Sequence, residues 1–257
     1  MNIEINNKNI FYEILNQKYF TRNKPIIVFL HEGLGCSEQW KEFPQIISDK
    51  LKLPALLYDR YGHGKSEKLR EERDIFYLHN ETHFLHTLLN NLKINNQLII
   101  FGHSDGGTIA LLYASFYPEK VMALITEAHH VFVEKVSQLG VKMAVEYYKN
   151  SDMHERMEKY HGENTESMFF AWANTWLAEG AEKYDILDEI SKIDIPILTF
   201  QGENDQYGTY KQIQAVIDNC KNSKVEVHWL KECGHAPHKD QEDYVIEKIV
   251  NFVSDNT

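Results

Sequence analysis

Leu98-Ile99-Ile100-Phe101-Gly102-His103-Ser104-Asp105-Gly106-Gly107 is the stretch that decides how this chain folds. An apolar run stops at Gly-x-Ser-x-Gly, and a helical pattern, Thr108 to Phe116, begins at once. A strand that turns directly into a helix at that pentapeptide is the context of a nucleophile elbow. The turn is tight enough to hold its serine in a strained backbone conformation, with the hydroxyl exposed at the strand's end. Glycines two residues before and after it are needed because a Cβ there would strike the neighbouring strand and helix.

A serine hydroxyl is a poor nucleophile near neutrality and needs a base beside it, itself oriented by a carboxylate. The elbow therefore predicts an acid and then a histidine downstream, each in a loop just past a strand. Ile197–Gln201 runs into Gly202-Glu203-Asn204-Asp205, and Val225–Leu230 leads to Lys231-Glu232-Cys233-Gly234-His235. Ser104, Asp205 and His235 are thus the candidate catalytic residues. Glu203 and Asn204 flank the acid as turn residues, and Glu127, at the end of the strand after the elbow, is the alternative acid. His238, one helical turn past the base, is expected to cap the final helix or face solvent, and His103 to lie buried beneath the nucleophile. Acyl transfer also needs donors for an oxyanion. The N–H of Asp105 is one candidate; Gly33, in the loop Leu30-His31-Glu32-Gly33-Leu34-Gly35, is the other.

Outward from the elbow, short apolar runs alternate with helical patterns, the mark of a mostly parallel sheet covered on both faces. Ile3–Ile5 and Ile10–Ile14 form an opening antiparallel hairpin, followed by strands at Ile26–Leu30, Ala55–Tyr58, Leu98–Phe101, Val121–Ile125, Ile197–Gln201 and Val225–Leu230. Helical patterns lie at Ser37–Lys50, Tyr77–Leu92, Thr108–Tyr117, Tyr210–Asn219 and Gln241–Ser254. One stretch breaks the rhythm: Val131–Lys149, Asp152–His161 and Glu166–Ala181 are helical with no clear strand, and they carry Phe169, Phe170, Trp172 and Trp176. We read residues 131–190 as a helical cap inserted into a core formed by residues 1–130 and 191–257. Glu32, Glu127, Phe169, Trp172 and Trp176 are the expected pocket residues.

Composition narrows the function. A chain of 257 residues, 43% hydrophobic and 12% aromatic, supports a sizeable core, while a formal charge of −11 leaves no basic stripe for nucleic acid and no reason to adsorb to anionic membranes. No signal peptide or membrane-length apolar run is visible. Three cysteines with no Cys-x-x-Cys pair predict a reduced, cytoplasmic protein. Among 13 histidines, neither His129-His130 nor His235-x-x-His238 has spacing suited to a shared metal, so none is expected. The expected partner is a small-molecule substrate, with the chain a monomer or homodimer.

In order and spacing, the His31 loop, Asp59-Arg60-Tyr61-Gly62-His63-Gly64-Lys65-Ser66, the elbow, the Gly202–Asp205 loop and Gly234-His235 resemble the α/β-hydrolase superfamily over essentially the whole chain. The resemblance is greatest to capped bacterial esterases and carbon–carbon hydrolases. It implies an eight-stranded sheet, a lid after the sixth strand and hydrolysis without a cofactor, with Asp59 and Arg60 tying the second loop to the site's floor. It implies a serine hydrolase of a small ester, thioester or lactone; the alternatives are cleavage of ring-fission dienoates and a non-catalytic small-molecule receptor. Two residues depart from the family pattern. Glu32 replaces the usual glycine and Asp105 an apolar residue or glutamine, so two carboxylates flank the oxyanion loop and must point away, be protonated or pair with a cation.

Overall fold

The computed structural model describes all 257 residues. In chain order the strands are β1 (Asn2–Ile5), β2 (Lys8–Leu15), β3 (Ile26–Leu30), β4 (Ala55–Tyr58), β5 (Leu98–His103), β6 (Val121–Glu127), β7 (Ile197–Gly202) and β8 (Val225–Leu230). The helices are α1 (Phe43–Leu51), α2 (Tyr77–Asn91), α3 (Asp105–Phe116), α4 (Lys135–Asn150), α5 (Met153–His161), α6 (Thr165–Leu177), α7 (Leu187–Ile190), α8 (Tyr210–Asn219), α9 (Pro237–Asp240) and α10 (Glu242–Asn256).

The eight strands form one sheet in the order β1-β2-β4-β3-β5-β6-β7-β8. Only the β1–β2 and β2–β4 pairs are antiparallel; from β4 to β8 every pairing is parallel. Parallel neighbours need crossover helices, and these cover both faces, so β3 and β5 are buried along their whole length. Strand alternation divides the core in two. Ile26, Val28, Leu30, Leu98 and Ile100 face α2, α3 and the inserted helices, while Ile27, Phe29, Ile99 and Phe101 face α1 and α10. On α10, Val245, Ile249, Phe252 and Val253 recur at helical spacing and supply that second layer.

The sheet and its strands follow the sequence reading closely; the helix boundaries differ by three residues or more at four places, one of them the end of α6, which stops at Leu177 where the chain turns extended at Ala178 instead of running to Ala181. Ser37–Lys50 is not one helix: a 3-10 turn covers Ser37–Trp40, and α1 begins only at Phe43, because Lys41 adopts φ +53° and Pro44 occupies the first turn. The helix after the elbow starts at Asp105 rather than Thr108; two glycines weaken the local signal, but burial against the sheet overrides propensity. Val131–Glu134 is not helical. Phe132 bridges Asp185, and the Val131 carbonyl accepts from the Ile186 N–H, so the start and end of the insertion are stitched together.

Between β6 and β7 the chain forms α4, α5 and α6, which pack on one another and on the core. His161 and Asn164 tie the insertion down. His161 Nδ1 accepts from the Gly64 N–H at 3.0 Å and its Nε2 donates to the Leu34 carbonyl, while Asn164 Nδ2 donates to the carbonyls of Gly64 and Ser66.

Phe101 rings lie 5.4–5.5 Å from those of Phe29, Trp40 and Phe43 in the layer beneath the elbow. Phe101→Ala removes this packing and leaves a cavity, so urea unfolding is expected to show a loss of about 3–5 kcal/mol.

Candidate active site

Strand β5 ends in the turn foreseen from the sequence. Ser104 has φ +54° and ψ −117°, a region that only a constrained turn imposes on a residue with a Cβ. A Cβ at Gly102 would collide with the Gly106 carbonyl, and one at Gly106 with the Leu30 carbonyl of β3. The Ser104 N–H donates to the Glu127 carbonyl of β6 at 2.8 Å, fixing the turn across the sheet.

His235 and Asp205 reach this turn from the loops after β8 and β7. Ser104 Oγ–H donates to His235 Nε2 at 2.9 Å, and His235 Nδ1–H lies 2.9 Å from each oxygen of Asp205. Asp205 also accepts from the Tyr207 N–H at 2.7 Å and from Gln201 Nε2 at 2.6 Å. Burial acts to lower the His235 pKa, but the charge and hydrogen bond of Asp205, with Glu32 and Asp105 farther off, outweigh it and raise it above the ordinary value. Conversely, Asp205 is buried, which favours its neutral form, yet His235 and the Tyr207 N–H hold it below the usual carboxylate range. His103, beside Ser104 at the end of β5, is buried, and its Nε2 donates to the His235 carbonyl at 2.7 Å; burial keeps it neutral.

A cavity of about 430 Å³, including its open mouth, adjoins Ser104. Glu32, Gly33 and Asp105 form its floor, and Trp172 and Trp176 of α6 form a wall. Gly33 makes no backbone hydrogen bond through its N–H, and Asp105 is the first residue of α3, where an N–H has no intrahelical partner. A side chain at Gly33 would meet the Trp172 ring at 2.6 Å.

Two expected pocket residues are elsewhere. Glu127 is fully buried on the other side of the elbow and accepts from His238 Nδ1 at 2.6 Å, so it neither lines the cavity nor meets His235. Phe169 points into the insertion's own core, where its ring stacks on Tyr148 at 3.9 Å. His238 neither faces solvent nor caps the last helix. It is buried with its ring 4.7 Å from Trp40, because the chain after His235 turns inward through α9.

The cavity also holds residues that the sequence reading missed. His130 stacks near His235, with ring centroids 6.0 Å apart, and burial pushes its pKa down to about 4. Tyr207 packs edge-on to His235 at 4.7 Å, and burial with Glu32 pushes its hydroxyl up to about 12. Ser137 and Val141 come from one face of α4. Tyr207, two positions past the acid in the same loop, had a usable sequence signal; the others depend on how α4 and β6 pack.

The Asp105 carboxylate is paired with a cation. Arg60, fully buried, places Nη1 3.4 Å from Asp105 Oδ2, and the same oxygen accepts from the Tyr77 hydroxyl at 2.6 Å. Trp176 Nε1 donates to that hydroxyl, and Arg60 Nη2 donates to the Glu32 carbonyl at 2.7 Å. Asp59, beside it, accepts from the Ser37 and Lys65 N–H groups at 2.6 and 2.8 Å and closes the second loop. No three His, Cys, Asp or Glu side chains converge where a metal ion could sit, and no helix is long and apolar enough to cross a membrane.

A mostly parallel eight-stranded sheet with this elbow is the α/β-hydrolase fold. Residues 23–242 match the model of the family described as serine aminopeptidase, S33, and the chain belongs to it. Among its relatives is a proline iminopeptidase of Saccharolobus solfataricus, 22% identical, with 95% of this chain and 89% of the relative covered. An α/β-hydrolase enzyme from a deep-sea metagenome library superposes with a TM-score of 0.79 at 21% identity, covering 99% of this chain and 97% of the other. The enol-lactonase of Burkholderia xenovorans does so with a TM-score of 0.77 at 17% identity, covering 99% and 100%. The protein is therefore an α/β-hydrolase enzyme.

Asp105→Asn leaves the buried Arg60 guanidinium without its nearest counter-charge. It is expected to lower stability by roughly 3 kcal/mol in chemical denaturation, whatever it does to activity.

Proposed function

We propose that the protein is a serine hydrolase that cleaves a small carboxylic ester, thioester or lactone through an acyl-enzyme. The observation that carries this reading is the unbroken line of hydrogen bonds from Ser104 Oγ through His235 to Asp205. In this mechanism His235 Nε2 takes the Ser104 proton as Oγ attacks the carbonyl carbon. Asp205 stabilises the imidazolium that results, and the N–H groups of Gly33 and Asp105 receive the oxyanion. The imidazolium then protonates the leaving oxygen or sulfur. Water, activated by the same His235, attacks the acyl-enzyme and restores Ser104. The aromatic wall from α6 and the inward face of α4 act as a cap over the acyl group.

Charge bears on the substrate. Arg60 balances Asp105, whereas Glu32 has only the exposed Lys239, 3.9 Å away, and no Lys or Arg lines the cavity. That wall suits neutral or cationic substrates, an amine-bearing acyl group included, and opposes anionic ones. A ring-fission dienoate carries a carboxylate for which the cavity offers no cation, so carbon–carbon hydrolysis is the less favoured reading. A receptor with no chemistry has no need of an aligned triad.

A fluorophosphonate probe is expected to label wild type at Ser104. Ser104→Ala should abolish labelling and lower ester turnover by about 10⁴-fold or more with the fold intact by circular dichroism; a variant that keeps a tenth of the activity would falsify the reading. Because the base works deprotonated and its pKa is raised, kcat/KM should climb with pH through a single ionisation above the ordinary histidine value of about 6.5.

Glu32→Gln is expected to raise kcat/KM about tenfold for an ester with an anionic acyl group while changing a neutral ester little. Equal effects on both esters would mean that Glu32 does not face the bound acyl group.

A further inference from the structure

Ile197, Thr199 and Gln201 share one face of β7, a strand buried within the sheet, with Leu198 and Phe200 on the other. An amide is an unfavourable choice there unless its hydrogen bonds are made. Gln201 is fully buried, and its Nε2 donates to Asp205 Oδ2 at 2.6 Å, while Oε1 has no partner in the protein. The chemistry fixes the orientation of the amide, because a carboxylate only accepts. On the other side of the carboxylate, the Tyr207 N–H donates to Oδ1 at 2.7 Å. The two donors thus clamp the two oxygens separately, and the carboxylate is left with its open edge toward His235 Nδ1.

We propose that Gln201 is a positioning residue for the reaction. It locks the rotation of the Asp205 carboxylate so that both oxygens meet His235, and it weakens the basicity of that carboxylate. The inference rests on the catalytic reading given above. Without the amide, Oδ2 keeps only the His235 Nδ1–H, and the less stabilised anion holds the imidazolium more tightly. The ionisation of His235 then moves to higher pH. The other groups facing His235 are Glu32 after β3, Asp105 on α3, His103 on β5, His130 after β6 and Tyr207 beside the acid. His103 and His130 are held neutral by burial.

The test is the rate at which the fluorophosphonate labels Ser104 in the intact protein, followed from about pH 5 to about pH 9, for wild type, Gln201→Met and Gln201→Glu. Gln201→Met should label roughly ten- to a hundredfold more slowly at the plateau, with its ascending limb displaced to higher pH. Gln201→Glu should label close to the wild-type rate at low pH, where the carboxylic acid donates as the amide does. It should then fall as that acid ionises beside Asp205, giving a bell in place of a rising curve. The labelling of Gln201→Glu at low pH also shows that a change at this site is compatible with folding. Either variant matching wild type, or a Gln201→Met curve slowed with its limb unmoved, overturns the proposal. A wild type that does not label removes the catalytic reading itself, a result distinct from wild-type labelling that the variants fail to alter.

Discussion

Everything at the site depends on how closely β5 and α3 approach β3 at the elbow. The Leu30 carbonyl stands where a Cβ of Gly106 would go, and the Gly106 carbonyl stands where a Cβ of Gly102 would go. This contact forces Ser104 to φ +54°, a conformation that costs of order 1–3 kcal/mol and persists only because the surrounding sheet over-determines it. The same contact lifts Oγ clear of the backbone and puts the start of α3 beside it. The strain at Ser104, the exposure of its hydroxyl and the free N–H at the start of α3 therefore have one origin. The aromatic layer of Phe29, Trp40, Phe43 and Phe101 behind the elbow supplies the packing that resists its relaxation.

Around that turn the protein buries several charged groups. Arg60 and Arg73 lie inside with Asp105 and Glu81, and the hydroxyl of Tyr77 and the indole of Trp176 complete the connection to the cavity wall. A bare carboxylate at Asp105 would oppose the negative charge that the proposed reaction develops beside it. Here its charge is matched from behind by a guanidinium that also holds the Glu32 carbonyl, so the loop after β3 and the turn at Ser104 share one anchor. Such a cluster is a weak source of stability, because desolvation offsets most of the attraction; its value lies in fixing geometry.

The strands, their mostly parallel character and the three residues now in line were legible in the sequence, and for a local reason; the order of the strands in the sheet was not. Strands buried on both faces read as short apolar runs, and the Gly-x-Ser-x-Gly turn, the Gly202–Asp205 loop and Gly234-His235 each carry their chemistry within a few residues of a strand end. The errors were of another kind. Glu127 follows a strand as a catalytic acid would, yet its oxygen is taken by His238; Phe169 sits beside Trp172 in sequence but on the inward face of the insertion. Helical periodicity marks an apolar face without saying whether that face meets a cavity or another helix.

By itself, then, the sequence determined the α/β order, the elbow and the Ser104, Asp205 and His235 set, because backbone sterics and strand-end placement are encoded locally. Only the tertiary structure decided that Arg60 neutralises Asp105 across 45 residues, that Gln201 clamps Asp205, and that His130 and Tyr207 border the cavity. Those contacts join side chains from different strands and loops. Whether a buried polar group finds its partner depends on distances of a few ångströms that no one-dimensional pattern contains.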